Sequence, residues 1–163
     1  MYLICILFIG LISMKNLHSE TLIERYVTLN KSKATSTNNW TTDFEKAKEI
    51  AAKEHKNIVL VFQGSDWCAP CIKLDKEIWS SYEFQRLSKD YFVMLKADFP
   101  RKHKNALSKE QQLQNNSLAE KYNANGYFPY VVVLDSKGNV LGSLGYEKTT
   151  PESYFKKLRA FEK

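Results

Sequence analysis

The chain has 163 residues, enough for one well-buried core and too few for two. Apolar residues make up 44% and charged residues 26%, with nine Tyr, nine Phe and three Trp, which excludes a chain disordered throughout; six Gly and four Pro exclude collagen-like and low-complexity sequences. Lys and Arg outnumber Asp and Glu by 24 to 18, but the net charge of +6 is spread along the chain, so it favours solubility and names no partner.

The first segment is the uncharged run Tyr2–Ile12. It falls short of the about 20 residues that span a bilayer and has the length and position of a signal-peptide apolar region. Residues 1–19 are therefore expected to be a signal peptide cut near Ser19, with the protein exported to the periplasm or the extracellular space. Left uncleaved, the same run would be a membrane anchor. Cys5 falls within it, so cleavage leaves Cys68 and Cys71 as the remaining thiols. Residues 20–39 form a polar lead-in, and the domain proper is expected over 40–163.

Thr42-Asp-Phe-Glu45 has capping-box spacing, and Phe44, Ala47, Ile50 and Ala51 share one helical face, which predicts a first helix to His55. Ile58–Phe62 is a continuous apolar run of the kind buried on both faces of a parallel sheet. After the turn Gly64–Trp67, a second helix is expected from Ala69, with Ile72, Leu74, Ile78 and Trp79 at helical spacing and a short continuation through Phe84 and Leu87. Tyr91–Ala97 reads as a strand. Residues 98–116 hold the basic run Arg101–Lys104 and a Gln-rich stretch, expected as an exposed insertion leading to a helix through Leu118, Ala119 and Tyr122. Tyr130–Leu134 is the strongest strand signal, Ser136–Asn139 a turn, and Val140–Leu144 its hairpin partner. Pro151 suits the first turn of a last helix striped by Tyr154, Phe155, Leu158 and Phe161.

The tightest chemical pattern is Trp67-Cys-Ala-Pro-Cys71, set between a buried strand and a helix start. A thiol reacts as its thiolate, and the free N–H groups and positive dipole end of a helix N-terminus lower its pKa from about 8.5 towards neutrality. Cys68 is thus the candidate nucleophile. Cys71, one turn on, is the candidate resolving thiol that attacks a mixed disulfide on Cys68. Ala69 and Pro70 complete the loop, Pro70 stiffening the first turn where its missing N–H costs nothing, and Trp67 is expected to shield one side of the pair. Two plainer readings stand beside this one. An inert structural disulfide would ordinarily close a longer loop. Zinc would need four ligands, and His18, His55 and His103 lack ligand spacing and a second Cys pair.

Val59-Leu-Val-Phe-Gln-Gly-Ser-Asp-Trp-Cys-Ala-Pro-Cys71 and Tyr127-Phe-Pro-Tyr-Val-Val-Val-Leu-Asp135 resemble the thioredoxin superfamily, in particular exported thioredoxin-like thiol:disulfide oxidoreductases. The likeness covers about residues 40–162. It implies the thioredoxin fold, an α/β architecture with a central mixed β-sheet flanked by helices on both faces. It also implies a cis proline at Pro129 lying against the active disulfide, with the Phe128 backbone offering an edge to a substrate peptide. One departure is plain: members related to cytosolic thioredoxin bury an Asp six residues before the first Cys, and this chain has Phe62 there. Asp66 and Lys96 are the possible substitutes, although a loop Asp is ordinarily a turn former and a strand-end Lys a solvated charge.

The function expected is dithiol–disulfide exchange on protein disulfides. Ala69-Pro70 resembles the Gly-Pro of reducing thioredoxins and supplies no histidine, which favours a reductant. A disulfide oxidase or isomerase is the alternative within this class; a non-catalytic binding or chaperone module on the same scaffold is the alternative outside it. A reductant in an oxidising space needs electrons, so a membrane electron relay is an implied partner. No nucleotide, flavin, metal or other cofactor and no nucleic-acid partner is expected, because no phosphate loop, ligand cluster or reader motif is present. A monomer is expected.

Overall fold

Alternation along two central strands divides the core. The computed structural model describes residues 40–162, so the expected signal peptide and lead-in segment lie outside the described residues. In chain order the elements are β1 (Trp40–Thr41), α1 (Phe44–Glu54), β2 (Asn57–Gln63), α2 (Ala69–Leu74) running on into a π-helical stretch at Asp75–Trp79, and α3 (Tyr82–Ser88). They continue with β3 (Phe92–Asp98), a 3-10 turn at His103–Asn105, α4 (Lys109–Tyr122), β4 (Tyr130–Leu134), β5 (Val140–Leu144) and α5 (Pro151–Arg159). The sheet order is β1-β3-β2-β4-β5, with β1 and β2 parallel to β3, and the last two strands joined antiparallel.

Successive strand side chains point to opposite faces. Val59 and Val61 of β2 pack with Leu74, Ile78, Trp79, Phe84, Tyr154 and Leu158 from α2 through α3 and α5. Ile58, Leu60 and Phe62 pack instead with Ala47, Ala51, Leu118 and Tyr122 from α1 and α4. Both faces of β2 are buried, which is why its sequence is continuously apolar.

Three features differ from the sequence reading. β1 is a two-residue parallel edge strand beside β3, too short to leave a pattern. The N-cap of α1 is Asp43, whose side chain accepts the Lys46 N–H at 3.0 Å, in place of Thr42. The stretch expected as an exposed insertion is only partly exposed, because α4 begins at Lys109, Ser108 caps it, and Asn115 is 1% exposed. Its polar residues pack by pairing with backbone: the buried Asn115 Nδ2 donates to the Asp98 carbonyl, and the half-buried Gln111 and Gln114 donate to that of Thr42.

The topology places three loops at one end of the sheet. β2 and β3 run parallel with Gln63 opposite Asp98, so the segments that follow them emerge together. β4 runs against β2 with Tyr130 opposite Phe62, so the segment preceding β4 arrives at the same end.

Candidate active site

The Cys loop is built by short-range backbone bonds. The Trp67 and Cys68 amides donate to the Gly64 carbonyl at 3.3 and 2.9 Å, closing a tight turn after β2. Cys68 is the N-cap of α2 in extended conformation, and its Sγ accepts the N–H of Cys71 at 3.3 Å. Ala69 and Pro70 occupy the first turn and are exposed, while Pro70 removes no hydrogen bond because first-turn amides have no helical partner. Cys68 and Cys71 are joined in a disulfide, with Cα atoms 5.2 Å apart, and are 4% and 3% exposed.

Trp67 packs against Gly64, where a Cβ would come within 2.3 Å of the indole. Its Nε1 donates to the Phe99 carbonyl at 2.6 Å, and its ring meets Phe128 at 5.3 Å between centroids. Phe128 in turn meets Phe99 edge-on at 5.5 Å. The loop before β4 therefore leans against the loop that carries the cysteines. The Phe128–Pro129 peptide bond is cis and Pro129 is buried. Asn123, 4% exposed at the end of α4, pins this loop from both sides: its Oδ1 accepts the Tyr127 N–H and its Nδ2 donates to the Tyr127 carbonyl, each at 2.9 Å.

Neither candidate substitute for the family's buried Asp is set up as a base. Asp66 accepts the backbone N–H groups of Arg101 and Lys102 at 2.9 and 3.0 Å and the Asn105 side-chain amide at 2.9 Å. These bonds, the Arg101 amide foremost, hold its carboxyl below the ordinary carboxylate value. Lys96 reaches over the Trp40 ring, 5.0 Å from its centroid, on the far side of β3 from β2. Phe62 is fully buried and stacks on Tyr130 at 6.4 Å among the side chains under α1 and α4.

Sequence reasoning missed Arg101, whose guanidinium lies 3.7 Å from the centroid of the Trp67 ring, and the Asp66 clamp beneath it. Both join residues about 35 positions apart, and the only local signal was the basic run itself.

A thioredoxin-like family matches residues 39–136 of the chain, the stretch from β1 past the loop before β4 and β4 itself. The chain belongs to the thioredoxin superfamily of disulfide oxidoreductases. This thioredoxin-like chain is 35% identical over 117 residues to the disulfide bond reductase DsbH of Chlamydia pneumoniae, covering 72% of the chain and 69% of the relative. A solved structure of a DsbH oxidoreductase superimposes with a TM-score of 0.69 at 34% identity, over 75% of this chain and 82% of that one. The thioredoxin-related protein DsbJ of the same organism is 29% identical over 66% of the chain, which spans only 31% of DsbJ.

Proposed function

We propose that this thioredoxin-like protein is a reductant of protein disulfides, working by dithiol–disulfide exchange with Cys68 as nucleophile and Cys71 as resolving thiol. The observation that supports it most is the position of the Cys68 sulfur, which caps α2 and accepts the Cys71 N–H at 3.3 Å. An anion at that sulfur is stabilised by the free amides and the dipole of the helix start.

In the reduced protein the Cys68 thiolate attacks one sulfur of a substrate disulfide. A mixed disulfide forms and the other substrate sulfur departs as thiolate. Cys71, as thiolate, then attacks the Cys68 sulfur, the mixed bond breaks, and the second substrate thiol is released. Two electrons pass to the substrate and the Cys68–Cys71 disulfide is the product state, the one seen here. With Phe62 in place of a buried carboxylate, the Cys71 proton passes to the departing substrate thiolate or to water. The Phe128 backbone, beside Trp67, is the proposed edge along which the substrate chain lies, and Pro129 fixes that edge.

The direction is supported by the Ala69-Pro70 dipeptide, which brings no histidine into the loop, and by the reductase name of the relative from Chlamydia pneumoniae. Export is supported by the apolar run Tyr2–Ile12; among the described residues no helix is long and apolar enough to cross a membrane. An exported reductant must regain two electrons per turnover, which a membrane-embedded dithiol relay would supply. One copy carries both sulfurs and the facing loop, so a monomer suffices.

Insulin reduction by the wild type and by Cys68→Ser tests the chemistry: turnover should fall to background in the variant, and equal rates, or none in either, would favour a binding module. Equilibration against glutathione tests the direction. A potential near the about −270 mV of reducing thioredoxins is expected, and one near about −120 mV would assign an oxidase.

A further inference from the structure

The basic run Arg101–Lys104 takes no part in the exchange chemistry, yet the fold fixes it against the loop that leads into Cys68. Asp66 holds the amides of Arg101 and Lys102 and the side chain of Asn105, and Trp67 holds the carbonyl of Phe99. Asp66 and Trp67 are the two residues that precede Cys68. Arg101 also lies on the Trp67 ring at 3.7 Å, so the run is tied to the Cys loop by backbone and by side chain.

The charge of this run faces outwards. Arg101, Lys102, His103 and Lys104 are all exposed, and none takes part in a salt bridge among the described residues. The carboxylates of the same loops are turned to other work: Asp66 to the amides above, and Asp98 to the N–H and hydroxyl of Ser65 at 2.9 and 2.6 Å. Five cations elsewhere pair with nearby acids, as in Lys48–Glu45 and Lys156–Glu152, while the other lysines stand apart along the chain. What sets Arg101, Lys102 and Lys104 apart is that they are close together in sequence, exposed and tied to the Cys loop, a compact basic cluster smaller than an extended basic face. A nucleic acid or a membrane would call for such a face.

We infer that the Arg101–Lys104 loop docks acidic polypeptide segments flanking the disulfide to be reduced, and so selects substrates by charge. The inference rests on the exchange reaction proposed above. Screening limits its reach to about 10 Å at 0.1 M salt, or about three extended residues on either side of the target cysteine.

The test has two arms on the full chain. In the first, cysteine-free decapeptides rich in Asp and Glu, and the same sequences with Asn and Gln, are titrated against the oxidised protein. The acidic peptide should bind at least about fivefold tighter at low salt, with the advantage gone near about 0.5 M. Lys102→Ala/Lys104→Ala should erase the advantage. Lys53→Ala/Lys137→Ala, with both lysines exposed at the other end of the sheet, removes the same charge and should keep it, and so controls for net charge. In the second arm the same sequences carry a disulfide, and the acidic-to-neutral ratio of kcat/KM should be about five and fall towards one in the double variant, with kcat alike.

Equal binding of both peptides, or a preference that survives the double variant, overturns the inference. So does capture of phosphatidylglycerol vesicles without discrimination between the peptides. Charge-selective binding in the first arm with no turnover of any peptide in the second would uphold the docking site and overturn the exchange reaction.

Discussion

At the scale of single residues, the site depends on close approaches that tolerate no added atom. Gly64→Ala would place a methyl 2.3 Å from the Trp67 indole, forcing the ring off its bond to the Phe99 carbonyl. A loss of about 1–3 kcal/mol is expected, read as a lowered denaturant midpoint together with slower insulin reduction. Asp66 makes a pH prediction whose sign follows from its depressed carboxyl: the bonds it makes help the loop at any pH above the ordinary 3.8 and are lost only as pH falls through the lower folded value. Protection of the Arg101 and Lys102 amides from exchange, taken relative to their intrinsic rates, should therefore persist at pH 3.8 and fall only at lower pH, whereas Asp66→Asn should reduce it at neutral pH. The cysteines and Pro70 were legible in the sequence because they lie within four residues of one another. The partners of Trp67 and Asp66 were not, since contacts between residues some 35 positions apart leave no local signature.

At the scale of elements, legibility followed apolar content. β2, β4 and α5 were readable because burial on one or both faces writes a continuous or helical apolar pattern. The first half of α4 was not, because its one buried side chain, Asn115, and the half-buried Gln111 and Gln114 are amides satisfied by backbone carbonyls, and such residues look like surface to any hydropathy argument. Asn115→Ala would remove the side-chain donor to the Asp98 carbonyl and one of the two acceptors of the Gln111 amide, which keeps Thr42. Unfolding by urea should show a loss of about 1–3 kcal/mol, more than an exposed substitution such as Asn116→Ala on the same helix. Asp43→Ala should cost about 1 kcal/mol through the lost cap of α1, with activity unchanged because α1 lies under the opposite face of the sheet from the Cys helix.

At the scale of the whole molecule, one aromatic cluster holds the α2 side together. Trp79, 2% exposed, meets Trp40, Phe84 and Tyr154 at 5.9, 4.8 and 5.3 Å, joining the edge strand, α3 and α5 through one ring. Trp79→Ala should lower stability by about 3–5 kcal/mol, measured by thermal unfolding, a large share of the about 5–15 kcal/mol a domain possesses. The strand order was not legible in the sequence, since composition and periodicity give strands but not their neighbours, and the family resemblance gave only a central mixed sheet. That order matters most in the pairing of Tyr130 with Phe62. The two segments on which the chemistry is proposed to act never have to find each other through their own loops, because adjacent strands bring them to a common edge. The sheet thus serves as a gauge: sliding β4 by two positions would carry Phe128 about 7 Å from Trp67 while leaving every side chain on its proper face. Beneath the contacts that the loops make with one another, it is the ladder that evolution and engineering have to keep in step.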